Sequence, residues 1–167
     1  IVYLANSSGL KIGITRATQV PTRWIDQGAT QALPIMRVRN RYQSGAVEML
    51  FKQHVADKTN WRSMLKGVAP PLDMKSEAES LIKKCESEIE ELEESFGKFG
   101  VSILTGVEPV SITYPINEYP HKISSYNLDK EPAIQDTLLG IKGQYLIFEN
   151  GVINLRKFSG YEVRLSC

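Results

Sequence analysis

Cysteine and histidine are scarce in this chain, with two of each among 167 residues. Cys85 and Cys167 are too few for the disulfide framework of a small secreted domain, and a Cys85–Cys167 bridge is the one pairing the chain offers. Neither residue type recurs at the spacing of a zinc site. Thiols this sparse point to a reducing compartment, so the expected location is cytoplasmic. No apolar run approaches the ~18 residues of a membrane-spanning helix, so no membrane association is expected. No secretory leader pattern opens the chain, because Ile1 begins directly on strand-like sequence. A natural chain begins with Met, so further residues are expected ahead of Ile1. Internal repeats and low-complexity tracts are absent as well.

Net charge is also small, at +1, but it is unevenly spread. Residues 1–66 carry ten basic against three acidic side chains, a net of +7. Residues 67–100 carry four against nine, and residues 101–167 six against seven. A basic first third is the electrostatic footprint of a protein that meets a phosphate backbone. Charge alone fits a solubilising surface equally well.

The pattern predicts an α+β protein in three parts. Residues 1–66 read as a small three-stranded antiparallel sheet with flanking helices. Ile1 to Ala5 is β-prone, Asn6-Ser7-Ser8-Gly9 is turn chemistry, and Leu10 to Thr15 alternates apolar and polar residues. Thr18 to Ala29 reads as a short helix that Gly28 ends, Leu33 to Arg39 as a third strand, and Ser44 to Val55 as a second helix. Residues 67–100 hold a linker around Pro70-Pro71 and then one long acidic helix, Ser76 to Phe96. Its stripe of Leu81, Ile82, Cys85, Ile89, Leu92 and Phe96 suits packing on the fold, or contact with a protein partner or a second copy. Residues 101–167 read as a β-rich C-terminal domain. Its expected strands are 101–104, 110–114, 138–141, 145–148, 152–155 and 161–165, with a hairpin turn at Glu149-Asn150-Gly151.

The residues with chemistry lie in the basic part. They follow the order Tyr3, Lys11-Ile12-Gly13, Arg23, Glu48, Asn60. This order resembles the GIY-YIG nuclease superfamily over about residues 1–62, in a divergent bacterial branch with Lys-Ile-Gly as the second tripeptide. The resemblance implies an endonuclease that hydrolyses phosphodiester bonds in DNA with one Mg²⁺ or Mn²⁺ ion. It implies catalytic roles for Tyr3, Lys11, Arg23, Glu48 and Asn60, with Glu48 as the metal ligand. In that branch a Cys-rich segment precedes the module. Three positions depart from the pattern: Lys11 stands where the family has Tyr, Ile14 replaces a basic residue, and Gln27 stands where an aromatic or His is usual.

The residues also make sense singly. An activated water, a clamp on phosphate oxygens and a stabilised leaving oxygen are the needs of the reaction, and one metal on a carboxylate serves the last two. Arg23 can fork onto a phosphate, or pair with Asp26. Glu48 can hold a metal, or pair with Lys52 one turn on. Tyr3 and Lys11 are the candidate bases, yet each ordinarily titrates near 10 and needs desolvation or a nearby cation to act. Asn60 can orient the site or cap a helix. Arg16, Arg37, Arg39, Arg41, Lys58 and Arg62 are the expected nucleic-acid contacts, with Arg37, Arg39 and Arg41 alternating along a strand. Trp24 and Trp61 suit core anchoring better than base stacking. The alternative function is a nucleic-acid-binding protein of the same fold that does not cut.

Overall fold

The computed structural model describes residues 1–97 and 100–166. Its elements are mixed α and β, in two antiparallel sheets with five α-helices among the described residues. The opening hairpin joins β1 (Val2–Asn6) to β2 (Leu10–Ile14), and β3 (Gln31–Val38) lies on the other side of β1. Alternation sends Leu4, Ile12, Leu33 and Ile35 to one face, where they form the main core. It sends Tyr3 and Ala5 to the other face, against Trp24.

The expected three-stranded sheet is larger than its sequence suggests. Strands β4 (Val101–Ile103) and β5 (Val110–Ser111), read as part of the C-terminal region, both pair with the outer side of β3. They pair with separate stretches, Met36–Val38 and Gln31–Ala32. Pro34 lies in the gap between them, and it has no amide hydrogen to give to a ladder.

Helix α1 (Thr22–Asp26) is shorter than expected, and Gly28 follows it at φ +66. That φ suits glycine, and an added Cβ would meet Met64 Sδ. Helix α2 (Arg41–Phe51) starts earlier than the predicted Ser44 and ends before Val55. Asn40 caps it by accepting from the Gln43 amide at 3.0 Å. Arg41 therefore opens a helix, and Arg37, Arg39 and Arg41 do not alternate along one strand, because β3 stops at Val38. Helix α3 (Trp61–Met64) follows, capped by Asn60.

The predicted long acidic helix is two helices, α4 (Met74–Lys84) and α5 (Glu86–Phe96), broken at Cys85. Lys83 and Lys84 close α4 while Glu86 and Glu88 open α5, so each helix end carries the charge its dipole favours. The apolar stripe goes into the protein's own core: Met74, Ala78, Leu81, Cys85 and Ile89 are buried, with Leu92 and Phe96 packed alongside. Cys85 is a free buried thiol, and the other half of the considered bridge, Cys167, lies outside the described residues.

The second sheet is β6 (Leu138–Lys142), β7 (Tyr145–Phe148) and β8 (Val152–Asn154), with the expected turn at Asn150-Gly151. Residues 161–165, expected as a strand, form none; they are exposed and lack a pairing partner strand among the described residues. This sheet docks through Lys142, whose side chain is fully buried. Its ammonium donates to the carbonyls of Met64 and Gly67, both at 2.9 Å. At the next turn Gly143 presses on the end of α1, where an added Cβ would lie 2.9 Å from the Asp26 carbonyl. No helix of the described residues is long and apolar enough to cross a membrane.

Candidate active site and nucleic-acid interface

Register builds the site. Tyr3 and Gly13 face each other across β1 and β2, and Ala5 faces Lys11. The Tyr3 ring lies across Gly13 so closely that a Cβ there would sit 2.7 Å from the phenol oxygen. Gly13→Ala is therefore expected to destabilise the protein by about 1–3 kcal/mol through overpacking. Chemical denaturation would show it as a lower midpoint at unchanged slope; an unchanged midpoint would mean that the ring is free to move.

The Tyr3 hydroxyl accepts from Gln27 Nε2 at 2.6 Å. Gln27, a departure from the expected pattern, thus takes part in the cluster. Burial raises the Tyr3 pKa, Gln27 and Arg23 oppose that rise, and the Glu48 charge adds to it. Burial prevails, so the hydroxyl stays neutral, which counts against Tyr3 as the base.

Lys11 behaves the other way. It is 5 % exposed, and its ammonium donates to Thr59 Oγ1 at 2.5 Å. Thr59 reaches it because the chain after α2 runs beside β2, with Ile12 donating to the Ala56 carbonyl at 2.8 Å. Burial first, and then the Arg23 charge, lower the Lys11 pKa from its ordinary 10.5 to about 8, while Asp57 partly resists. The condition for a lysine base, desolvation plus a neighbouring cation, is met at this position.

Arg23 influences both Tyr3 and Lys11, and Glu48 influences Tyr3, so four of the five expected residues share one neighbourhood. The fifth, Asn60, is taken up elsewhere. Its side chain caps α3 by accepting from the Ser63 amide at 3.2 Å, and its own amide donates to Ser8 Oγ at 3.0 Å. No Arg23–Asp26 ion pair forms among the described residues; Lys52–Glu48, Lys52–Asp57 and Lys75–Glu108 do. Thr59 and Gln27 are site members that the sequence reading did not assign, and the signal for Thr59 was its place beside Asn60.

Glu48 is neither in the core nor sealed. Lys52 approaches it at 3.7 Å but makes its shorter contact, 3.0 Å, with Asp57. A single loosely held carboxylate is a donor set that Mg²⁺ or Mn²⁺ uses when water and substrate phosphate complete its shell. It is not a stand-alone site: among the described residues no three His, Cys, Asp or Glu gather in a metal-binding group. Three cations, Lys11, Arg23 and Lys52, stand against the carboxylates of Glu48 and Asp57, so the neighbourhood favours an anion first.

Arg16, Arg37, Arg39 and Arg41 line one cavity of about 570 Å³, with no acidic residue in its lining. They come from three places: the end of β2, the end of β3, and the start of α2. Lys58 and Arg62 do not line it. Arg62 instead lies over the Trp61 ring at 4.2 Å, and Trp61 stacks on Tyr145 at 5.6 Å. Trp24 is a core residue, 2 % exposed.

A family model described as "Protein of unknown function (DUF2797)" matches residues 1–163, and the chain belongs to that family. That match spans almost the whole chain and corrects the resemblance drawn from residues 1–62: the chain is not assigned to the GIY-YIG nuclease superfamily. No curated protein and no solved structure matches the chain.

Proposed function

We propose that this DUF2797 protein binds a strand of nucleic acid, DNA in the first instance, and hydrolyses a phosphodiester bond at the Lys11 cluster. Family membership lends nothing to this reading, which stands on geometry. The observation that carries it is a cluster in which Arg23 acts on both Lys11, brought to about 8, and Tyr3, with Glu48 also acting on Tyr3, while four arginines line a groove at the far end of β2. A perturbed titratable group beside an anion-binding surface is a common mark of a functional site.

Each side chain has a part that suits its environment. The arginine groove holds flanking phosphates without reading sequence. Arg23 grips the non-bridging oxygens of the reacting phosphate. Lys11, once neutral, takes the proton from the water that forms the new bond to phosphorus, as the bond to the leaving sugar oxygen breaks. Tyr3 stays protonated and, with Gln27 donating to its oxygen, holds the cluster in place from inside the core. Mg²⁺ or Mn²⁺ on Glu48 would supply charge stabilisation at phosphorus and at the leaving oxygen.

The second reading is nucleic-acid binding without cleavage. Burial favours it: Tyr3 is wholly buried and Lys11 nearly so, which restricts approach of a substrate. Incubation with single- and double-stranded DNA and Mn²⁺, beside Glu48→Ala, separates the two. Hydrolysis predicts Mn²⁺-dependent nicking that falls at least about 100-fold in the variant, with DNA binding retained. Binding without cleavage by either protein would establish the second reading, and equal cleavage by both would remove Glu48 from the chemistry.

A further inference from the structure

The outer face of α2 shows water two large apolar side chains. Tyr42 is 78 % exposed and Met49 63 %, although the opposite side of the same helix gives Val47, Leu50 and Phe51 to the core. Tyr42, Ala46 and Met49 recur at i, i+4 and i+7, so they form one line along the helix. Two hollows, of about 660 and 450 Å³, flank that line and share Ala46 and Met49. The first reaches Arg41 and Glu48. The second crosses to α5, where it meets half-buried Leu92 and the exposed Glu88 and Glu91. Phe96 of α5 packs edge-on against the Tyr42 ring at 6.0 Å and so fixes that end of the line.

Gly45 points to the same face. It stands inside α2, where glycine weakens a helix relative to alanine. Apart from the helix's own backbone, nothing comes within 4 Å of a Cβ added there, and its φ is not positive. The fold therefore has no use for a missing side chain at this position. Bare backbone beside an apolar line is what close approach by a body outside the chain requires.

Charge selects the occupant. Among the described residues that line the two hollows, Glu48, Glu88 and Glu91 are acidic and Arg41 alone is basic. Lys52, one turn after Glu48, gives its shorter contact, 3.0 Å, to Asp57. A phosphate backbone would meet like charge on both flanks of the apolar line. A second copy docked through the same patch would set glutamates against glutamates. A helix with an apolar stripe between rows of Lys and Arg meets neither objection. The i, i+4, i+7 spacing is the one that helix-in-groove contacts use, and methionine adapts to the shape laid on it.

We propose that the α2–α5 face docks a basic amphipathic helix of a partner protein, its apolar stripe along Tyr42, Ala46 and Met49 and its cations against Glu88 and Glu91. The proposal does not rest on nucleic-acid cleavage, and Glu48 stays unvaried in its test because it belongs to the Lys11 cluster. The probe is a synthetic helical peptide of about 14 residues, enough to span the roughly 16 Å of α2. It carries Leu at i, i+4, i+7 and i+11 with Lys on both flanks; a control of the same composition has an order that breaks the stripe. Backbone amide and methionine methyl shifts locate binding, and anisotropy of the labelled peptide measures it. The striped peptide should shift Gly45, Ala46, Met49 and Leu92, and the control should bind at least about tenfold more weakly. Glu88→Gln/Glu91→Gln and Gly45→Gln should each weaken the striped peptide about tenfold, the first also flattening its salt dependence. Gly45→Gln should do so without lowering the thermal midpoint, because the fold leaves room for the side chain. Equal binding of the two peptides by the wild type, or shifts confined to other faces, overturns the proposal whether or not a variant folds. Full-strength binding by a folded Gly45→Gln overturns it as well. Shifts of the same residues by a single-stranded oligonucleotide, or on concentrating the protein alone, overturn it in favour of a strand or a second copy.

Discussion

Lys11→Met is expected to lower DNA cleavage about 10²- to 10⁴-fold while leaving the fold and DNA binding in place. Methionine keeps most of the volume and suits a residue that is 5 % exposed, so packing changes little. The lost group is the amine of the cluster that burial and Arg23 bring toward the neutral form. The pH dependence gives the sharper test. A base acts in its deprotonated form, and burial with Arg23 brings Lys11 to about 8. Cleavage by the wild type should therefore rise about tenfold per pH unit up to about 8 and level off above it. The variant's residual activity should lack that rise. Tyr3→Phe should lower the rate but keep the wild-type profile, because burial raises the Tyr3 pKa from 10.0 and takes its titration out of this range. If Lys11→Met kept the rise and Tyr3→Phe lost it, the base would be the tyrosine, and the argument from burial would fail.

The residues that meet in this cluster were legible because local rules place them. Turn chemistry at Asn6–Gly9 and alternation in Leu10–Ile14 give the hairpin, and the hairpin puts Tyr3 opposite Gly13. Their chemistry was less legible, because a pKa depends on burial that no local pattern reports. Tyr3 and Lys11 lie on the same hairpin; desolvation keeps one neutral by raising its pKa and helps neutralise the other by lowering it. Two features had readable signals that the pattern of apolar residues concealed. The change from Lys83-Lys84 to Glu86 across Cys85 marks the end of one helix and the start of another, although the apolar stripe runs on without a gap. Asn40 followed by Gln43 is cap chemistry that fixes the start of α2 and moves Arg41 off the strand; Gln43 Oε1 also accepts from the Arg39 amide. The pairing of β4 and β5 with β3 had no such signal. It joins strands more than sixty residues apart, and only tertiary packing selects it. The family resemblance failed for a related reason: a few residues in the right order over the first third did not decide the family of the whole chain.

Lys142 is the largest commitment in the fold that no local pattern announces, and removing it should cost the most stability. Its two carbonyl partners, at Met64 and Gly67, lie at the end of α3 and in the linker, more than seventy residues earlier. Lys142→Ala is expected to cost about 2–5 kcal/mol, as for truncating a long buried side chain. Lys142→Met keeps the volume but leaves two carbonyls without a donor, and should cost about 1–3 kcal/mol. The pH dependence separates this role from simple packing. Burial lowers the Lys142 pKa from its ordinary 10.5 to about 8. Between those values the unfolded chain keeps a proton that the folded chain has released, so stability increases as pH rises from 8 toward 10.5 and falls again as pH returns to 8. Lys11 acts in the same sense over the same interval. Cys85, raised by burial from 9.0, and Tyr3 and Tyr114, raised by burial from 10.0, act in the opposite sense once the unfolded groups ionise, so the clean window is about pH 8 to 9. Denaturant midpoints across that window should climb for the wild type, climb about half as steeply for Lys142→Met, and stay nearly flat for Lys11→Met/Lys142→Met. An undiminished slope in Lys142→Met would mean that its ammonium keeps its charge against the carbonyls. The joint between the second sheet and α3 would then be an ionic anchor at all these pH values, rather than one that tightens as the proton leaves.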